Sequence, residues 1–225
     1  MAIEQIDENL FCATQPLRFL GAQVGTRMTV IRLAGKELLV HSPIALSDEL
    51  RGEVEALGAV RYLVAPNRYH HLFVGHWLAA YPEAMAYAAP GLAEKRKDVA
   101  FAATLTDGDG PWAPEVQHAL WQGAPQMNEV HFLHRPTRTL ILADSAHNFG
   151  AHRPLSTRLL FGLLGGSTGF RTTLVDKMTT RDRELARASL ERLLRWDFDR
   201  VVVAHGDILE RGGPESMRAA YAWLT

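Results

Sequence analysis

Four apolar runs of this sequence end abruptly in residues able to bind a metal or move a proton. Leu38-Leu39-Val40 runs into His41, Leu63-Val64-Ala65 into the polar stretch 67–71, Leu140-Ile141-Leu142-Ala143 into Asp144, and Val201-Val202-Val203-Ala204 into His205. Imidazole and carboxylate are the usual ligands of zinc, iron and manganese. Strand ends on one edge of a sheet converge, and layered α/β proteins commonly carry their sites in the loops there. The adjacent pair His70-His71 is the strongest local feature, because two neighbouring imidazoles at a loop-to-helix junction can turn toward one ion. Each element taken singly is weak: a lone His or Asp at a strand end is more often a hydrogen-bonded turn residue than a ligand.

The elements that must position these groups are legible as patterns. Residues 9–14 and 28–33 are apolar and β-branched, and Ala34-Gly35-Lys36 turns into a strand over 37–41, a hairpin leading to a polar end. Ser47 before Asp48 and Glu49 caps a helix that runs to Leu57 and stops at Gly58, and 61–65 follows as a short apolar strand. Residues 72–80 have helical spacing, 84–88 read as a strand, 91–97 as a short helix, and 106–114, with Asp, Gly and Pro, as an exposed loop. Further strands are expected over 116–121, 129–133, 139–143 and 200–204, and helices over 155–165 (ending in Gly165-Gly166), 181–196 and 215–224. Strands dominate both halves and helices fall between or after them, which predicts a two-sheet core flanked by helices rather than a regular βαβ alternation. There is no fixed repeat and no linker long enough to separate two units, so a single domain over 1–225 is the expectation.

The chain's 225 residues are 47% apolar and 22% charged, enough to build a core without disulfide or metal staples. Lys+Arg number 24 against Asp+Glu 25, with no long run of one sign, so composition gives no electrostatic case for nucleic acid or an anionic membrane; a small-molecule ligand is expected. The single Cys12 sits in an apolar stretch and reads as a small buried hydrophobe. No basic-then-apolar leader and no run of about 20 apolar residues is present, which points to a cytoplasmic protein.

The order of these elements resembles the metallo-β-lactamase superfamily: a hairpin, a strand-helix-strand, a metal loop leading into a helix, a later strand ending in Asp and a late strand ending in His. The stretches PNRYHH, NEVHFLHRPTRTLILADSAHNF and VVVAHGD resemble, more closely, its DUF4336-type branch. The resemblance implies an αββα sandwich of two mixed, mostly antiparallel sheets. Set against the family loop H-x-H-x-D-H, His71 matches the last His, Asp144 the Asp that bridges two metals in many family hydrolases, and His205 the last metal-binding His. His70 stands in place of the loop's Asp. Pro66 and Arg68 stand in place of its first two His and cannot coordinate a cation, and the family's middle His has no counterpart near 123–127, although Glu129 is close by.

What survives is one site for one divalent transition metal, zinc or iron, held by His70, His71, Asp144 and His205, with Glu129 as an extra oxygen ligand. The implied chemistry is hydrolysis of an ester-like or anionic small molecule, with His70 and Asp144 catalytic and Arg68 binding an anionic substrate. The alternative is a non-catalytic small-molecule-binding descendant without a functional metal, which Arg68 in the metal loop favours. His147, three residues after Asp144, is a candidate supporting group. His76 falls on the wrong face of its helix, His131 and His134 read as surface or hydrogen-bonded core, and His118 and His152 belong to no constellation. The apolar stretch 155–170 can serve as a lid on the pocket or as a homodimer interface.

Overall fold

Alternation of side chains along strands decides the layers of this protein, whose computed structural model describes residues 2–165 and 168–224. Gly166, the second glycine of the expected helix stop, lies outside the described residues. Along the chain come β1 (Glu4–Asp7), β2 (Leu10–Gln15), β3 (Arg18–Phe19), β4 (Ala22–Gln23), β5 (Thr26–Arg32), β6 (Glu37–His41), α1 (Asp48–Leu57), β7 (Ala59–Ala65), α2 (Val74–Ala80), β8 (Met85–Ala88), α3 (Leu92–Lys95) and β9 (Ala103–Thr104). The second half holds β10 (Val116–Leu120), β11 (Val130–His134), β12 (Thr139–Ile141), β13 (His147–Phe149), α4 (Leu155–Leu163), β14 (Gly169–Arg171), α5 (Leu174–Thr179), α6 (Arg183–Leu193), β15 (Arg200–Val202) and α7 (Gly213–Ala220).

A seven-stranded sheet runs β1-β2-β5-β6-β7-β8-β9 and a four-stranded sheet β10-β11-β12-β15. Both are mixed: pairing is antiparallel through β6 and through β12, then parallel from β6 to β9 and between β12 and β15. Period-two alternation then sorts the side chains. Leu38 and Val40 point to the helical layer of α1 and α2, where Leu50, Val54, Val74 and Trp77 pack, while Leu39 points between the sheets. In the second sheet Leu140 and Val201 face Ala186, Leu190 and Leu193 of α6 and Met217 of α7, while Ile141 and Val202 face Leu10, Ile31 and Val64 of the first sheet. Helices, sheet, sheet and helices stack as expected for the αββα sandwich.

Local signals hold most of the boundaries. The Ser47 hydroxyl accepts from the Leu50 N–H at the start of α1, and Asp182 does the same for Leu185 in α6. Burial along α6 falls on Ala186, Ser189, Leu190 and Leu193, the three-and-four spacing of an amphipathic helix. Several short elements were not expected from the sequence, among them β1, β9, the ribbon β13–β14 and the helix α5, which the Thr173–Asp176 pair caps. Their residues carry no sustained alternation, and β13 is fixed instead by a bridge from Asn148 to Gly206, far along the chain. Because β6 is parallel to β7 and β12 to β15, the four polar strand ends all emerge at matching edges. No helix among the described residues is long and apolar enough to cross a membrane.

Candidate metal centre

Three of the strand-end groups meet. His70 lies in the loop after β7, Asp144 in the loop after β12 and His205 in the loop after β15, and their donor atoms form a nearly equilateral triangle. His70 Nε2 is 3.2 Å from His205 Nε2 and 3.3 Å from Asp144 Oδ1, and His205 Nε2 is 3.1 Å from the same oxygen. Among the described residues this is the one group of three or more such side chains close enough to share an ion. Tetrahedral coordination with metal–nitrogen bonds of about 2.0–2.1 Å separates neighbouring donors by roughly 3.3 Å, so the triangle has the dimensions of a metal face.

Each outward atom of the triangle is already engaged, which turns the inward atom toward the centre. His205 donates its Nδ1–H to the Gly25 carbonyl at 2.6 Å, so its Nε2 keeps its lone pair free. His70 Nδ1 lies 2.5 Å from the Ser42 hydroxyl, and Ser42 holds a left-handed backbone (φ 56°) just past the end of β6. Asp144 Oδ2 accepts from Asn67 Nδ2 at 2.8 Å. Burial disfavours the charged form of His70, but Asp144 more than offsets it and raises the imidazole above its ordinary value. Burial likewise opposes ionisation of Asp144, and His70 and His205 outweigh it, holding the carboxyl well below the usual range.

A second carboxylate organises the loop without facing the centre. Glu129, fully buried, accepts from the backbone N–H groups of Ala143, Asp144 and Ser145 and from Asn67 Nδ2. Its lone pairs are spent on the turn that presents Asp144, which corrects the expectation of an extra metal ligand. Asn67, missed in the sequence, links everything: its amide bridges Glu129 and Asp144, and its carbonyl oxygen accepts from the N–H groups of Tyr69 and His70. Arg27, also missed, donates from β5 to the carbonyls of Val203 and Gly206 on either side of His205.

Two other expectations are corrected. His71 is outside the triangle: its Nδ1 meets Arg96 Nη1 at 2.8 Å, and burial together with Lys95 and Arg96 pushes its pKa down to about 4. The backbone turn that aims His70 inward sends the next side chain toward α3. Arg68 does not line the cavity over the triangle; its guanidinium reaches the Pro125 carbonyl at 3.4 Å and lies beside Gly91. His147 does line that cavity, its ring against Phe149 and Phe161, and burial drives its pKa down to about 4. His41 is sealed beneath the site against Phe132, its pKa pushed down by burial to about 3. His131 and His134 are hydrogen-bonded core residues, to Ser145 and Thr137, and Cys12 is buried, its thiol raised to about 11 by that burial.

Above the triangle opens a cavity of about 460 Å³. Phe161 and Leu164, from α4 and its C-terminal end, form part of its wall, while Leu155, Leu159 and Leu163 of the same stretch are exposed.

The family model DUF4336, described as a domain of unknown function, matches residues 7–160. The chain belongs to the DUF4336 family. The matched segment contains His70 and Asp144; His205 joins them only through the fold. No curated protein matches this DUF4336 chain in sequence. Its fold is that of the metallo-β-lactamases. The DIM-1 metallo-β-lactamase exposed to ceftazidime superposes with a TM-score of 0.69 at 14% identity, over 100% of this chain and 97% of that one. A metallo-β-lactamase from Pontibacter korlensis gives 0.69 at 11%, over 99% and 98%, and FIM-1 from Pseudomonas aeruginosa in its mono-zinc form gives 0.66 at 9%, over 99% and 96%. At these identities the likeness concerns the fold. In this DUF4336 chain Pro66 and Arg68 offer no metal-binding atom in the loop, so a site built there rests on the triangle.

Proposed function

We propose that the protein is a mononuclear metal-dependent hydrolase in which His70, Asp144 and His205 hold one divalent ion, zinc before iron. The observation that carries this reading is the triangle of inward donor atoms, 3.1–3.3 Å on a side, with every outward atom committed to Ser42, Asn67 or Gly25. The mono-zinc form of the FIM-1 enzyme supports a single ion in such a fold. Bound there, the ion would supply a polarising positive charge and a water acidified toward neutrality. The protein's own part is to hold donors and exclude bulk water. With Nδ1 at Ser42 and Nε2 facing the ion, His70 has no nitrogen left to act as a base. Asp144 is committed likewise, with Oδ1 toward the ion and Oδ2 accepting from Asn67, so the triangle contributes ligands and negative charge rather than a base.

Elemental analysis of protein dialysed against zinc and then against metal-free buffer tests this. The expected result is about one zinc per chain in the parent, lost in His205→Ala and retained in His71→Ala. Equal zinc in parent and His205→Ala at unchanged circular dichroism would remove the site. A second reading, a non-catalytic binding protein, is favoured by the non-ligating Pro66 and Arg68. It is selected if parent and variant alike bind no zinc.

A further inference from the structure

The cavity says what kind of molecule reaches the triangle, an inference that rests on the hydrolase reading for the bond that is cleaved. At about 460 Å³ it falls among pockets that enclose a small organic ligand. Its floor is polar, with His70, Asp144 and His205, and its upper wall includes Leu17, Val24, Ile44, Met127, Phe161 and Leu164. Among the described residues no lysine or arginine lines it, so away from the ion held at the floor the wall offers an anion no positive charge, and Asp176 adds a carboxyl there instead. Arg68 of the metal loop and its neighbours Lys95 and Arg96 are turned elsewhere, Arg68 to Pro125, Lys95 to the Arg68 carbonyl and Arg96 to His71 and Asp98. A negative charge at the far end of a ligand would meet apolar side chains and neutral polar ones such as Gln15, Gln126 and Thr179, and would find no cation to pair with.

We propose that the cavity binds a neutral aliphatic acyl compound, an ester whose carbonyl rests over the His70–Asp144–His205 triangle and whose hydrocarbon chain lies along the apolar wall. This replaces the expectation of an anionic substrate. In the hydrolysis it implies, the water oxygen bonds to the acyl carbon, the carbon–oxygen bond to the alcohol breaks, and the water proton leaves with the alcohol oxygen. The products are the carboxylic acid and the alcohol. Chain length is read by the wall and charge is excluded by it.

Isothermal titration calorimetry on the full-length protein at pH 7.5 tests the ligand class with three esters: methyl butanoate, methyl octanoate and the monomethyl ester of octanedioic acid, which carries a carboxylate at its far end. Each buried methylene adds several-fold to affinity, so methyl octanoate is expected to bind at least about tenfold more tightly than methyl butanoate. The half-ester is expected at least about tenfold weaker than methyl octanoate. Val175→Asp, at a half-exposed position on the wall, should weaken methyl octanoate by a similar factor with its circular dichroism unchanged. Equal affinity for the two chain lengths, or a half-ester bound as tightly as the neutral ester, would overturn the proposal. Release of octanoic acid by zinc-loaded protein is scored separately. Tight chain-dependent binding without hydrolysis overturns the hydrolase reading and leaves the ligand class standing.

Discussion

Asn67 shows how much of the centre depends on a residue that touches no metal. Its NH₂ group sits between the carboxylates of Glu129 and Asp144, at 2.9 and 2.8 Å, and keeps two buried negative charges compatible. Asn67→Asp has almost the same shape but replaces a donor by an acceptor between two anions, so it should cost about 3 kcal/mol or more of stability. Asn67→Ala removes the donor without adding charge and should cost less, about 1–3 kcal/mol. Urea unfolding of both variants gives the order, and an Asp variant as stable as the Ala variant would contradict the bridge. Such a residue is invisible in a search for ligand types, because an amide is not among the usual donors of a transition metal. Its signal was only its place, just past the apolar run Leu63-Val64-Ala65.

At the scale of elements, the site is an assembly of loop ends locked by unplanned-looking neighbours. The ribbon strand β13 meets the His205 loop backbone to backbone, with Asp207 N–H donating to the Asn148 carbonyl and Asn148 N–H to the His205 carbonyl. Gly206 makes that approach feasible: it has φ 104°, and a Cβ there would stand 2.1 Å from the Asn148 oxygen. Gly206→Ala must therefore open the bridge and shift His205. The expected outcome is a zinc affinity lower by about 10–100-fold, as for loss of groups that orient ligands, measured by competition with a chelator. Unchanged affinity would mean that the loop is not held by β13.

The whole molecule buries several neutral histidines, and this sets its response to acid. Burial pushes His41 down to about 3 and His134 and His147 down to about 4, all below the ordinary value of 6.5. The unfolded chain binds protons at these positions before the folded one does. Their contribution to stability is thus complete above pH of about 6.5 and is lost as pH falls toward 4. His70, raised by Asp144, acts in the opposite direction but is one group against these three together with His71 and His118, which burial also lowers. For chelator-treated protein the urea midpoint should fall between pH 7.5 and pH 5, and His41→Leu should flatten that fall, since His41 Nε2 has no hydrogen-bond partner to lose. A midpoint that stays constant over that range would show that these rings are not buried neutral.

The layers were legible in the sequence because they follow from local periodicity: Leu38-Leu39-Val40, Leu140-Ile141-Leu142 and Val201-Val202-Val203 each alternate between a helical layer and the inter-sheet core. The strand ends named His70, Asp144 and His205 for the same reason, since an apolar run that stops at a polar residue marks where a strand leaves the core. Direction was not legible. His70 and His71 are adjacent in the chain and equivalent as chemistry, yet one faces the centre and the other faces Arg96, and Arg68 and Glu129 are spent on Pro125 and on the backbone of residues 143–145. Those choices were made by contacts such as His205 to Gly25 and Arg27 to Gly206, between residues 180 and 179 positions apart in the chain. Local pattern can state which side chains are polar and where a strand ends; only packing the two sheets together fixes which lone pair each of them has left to offer.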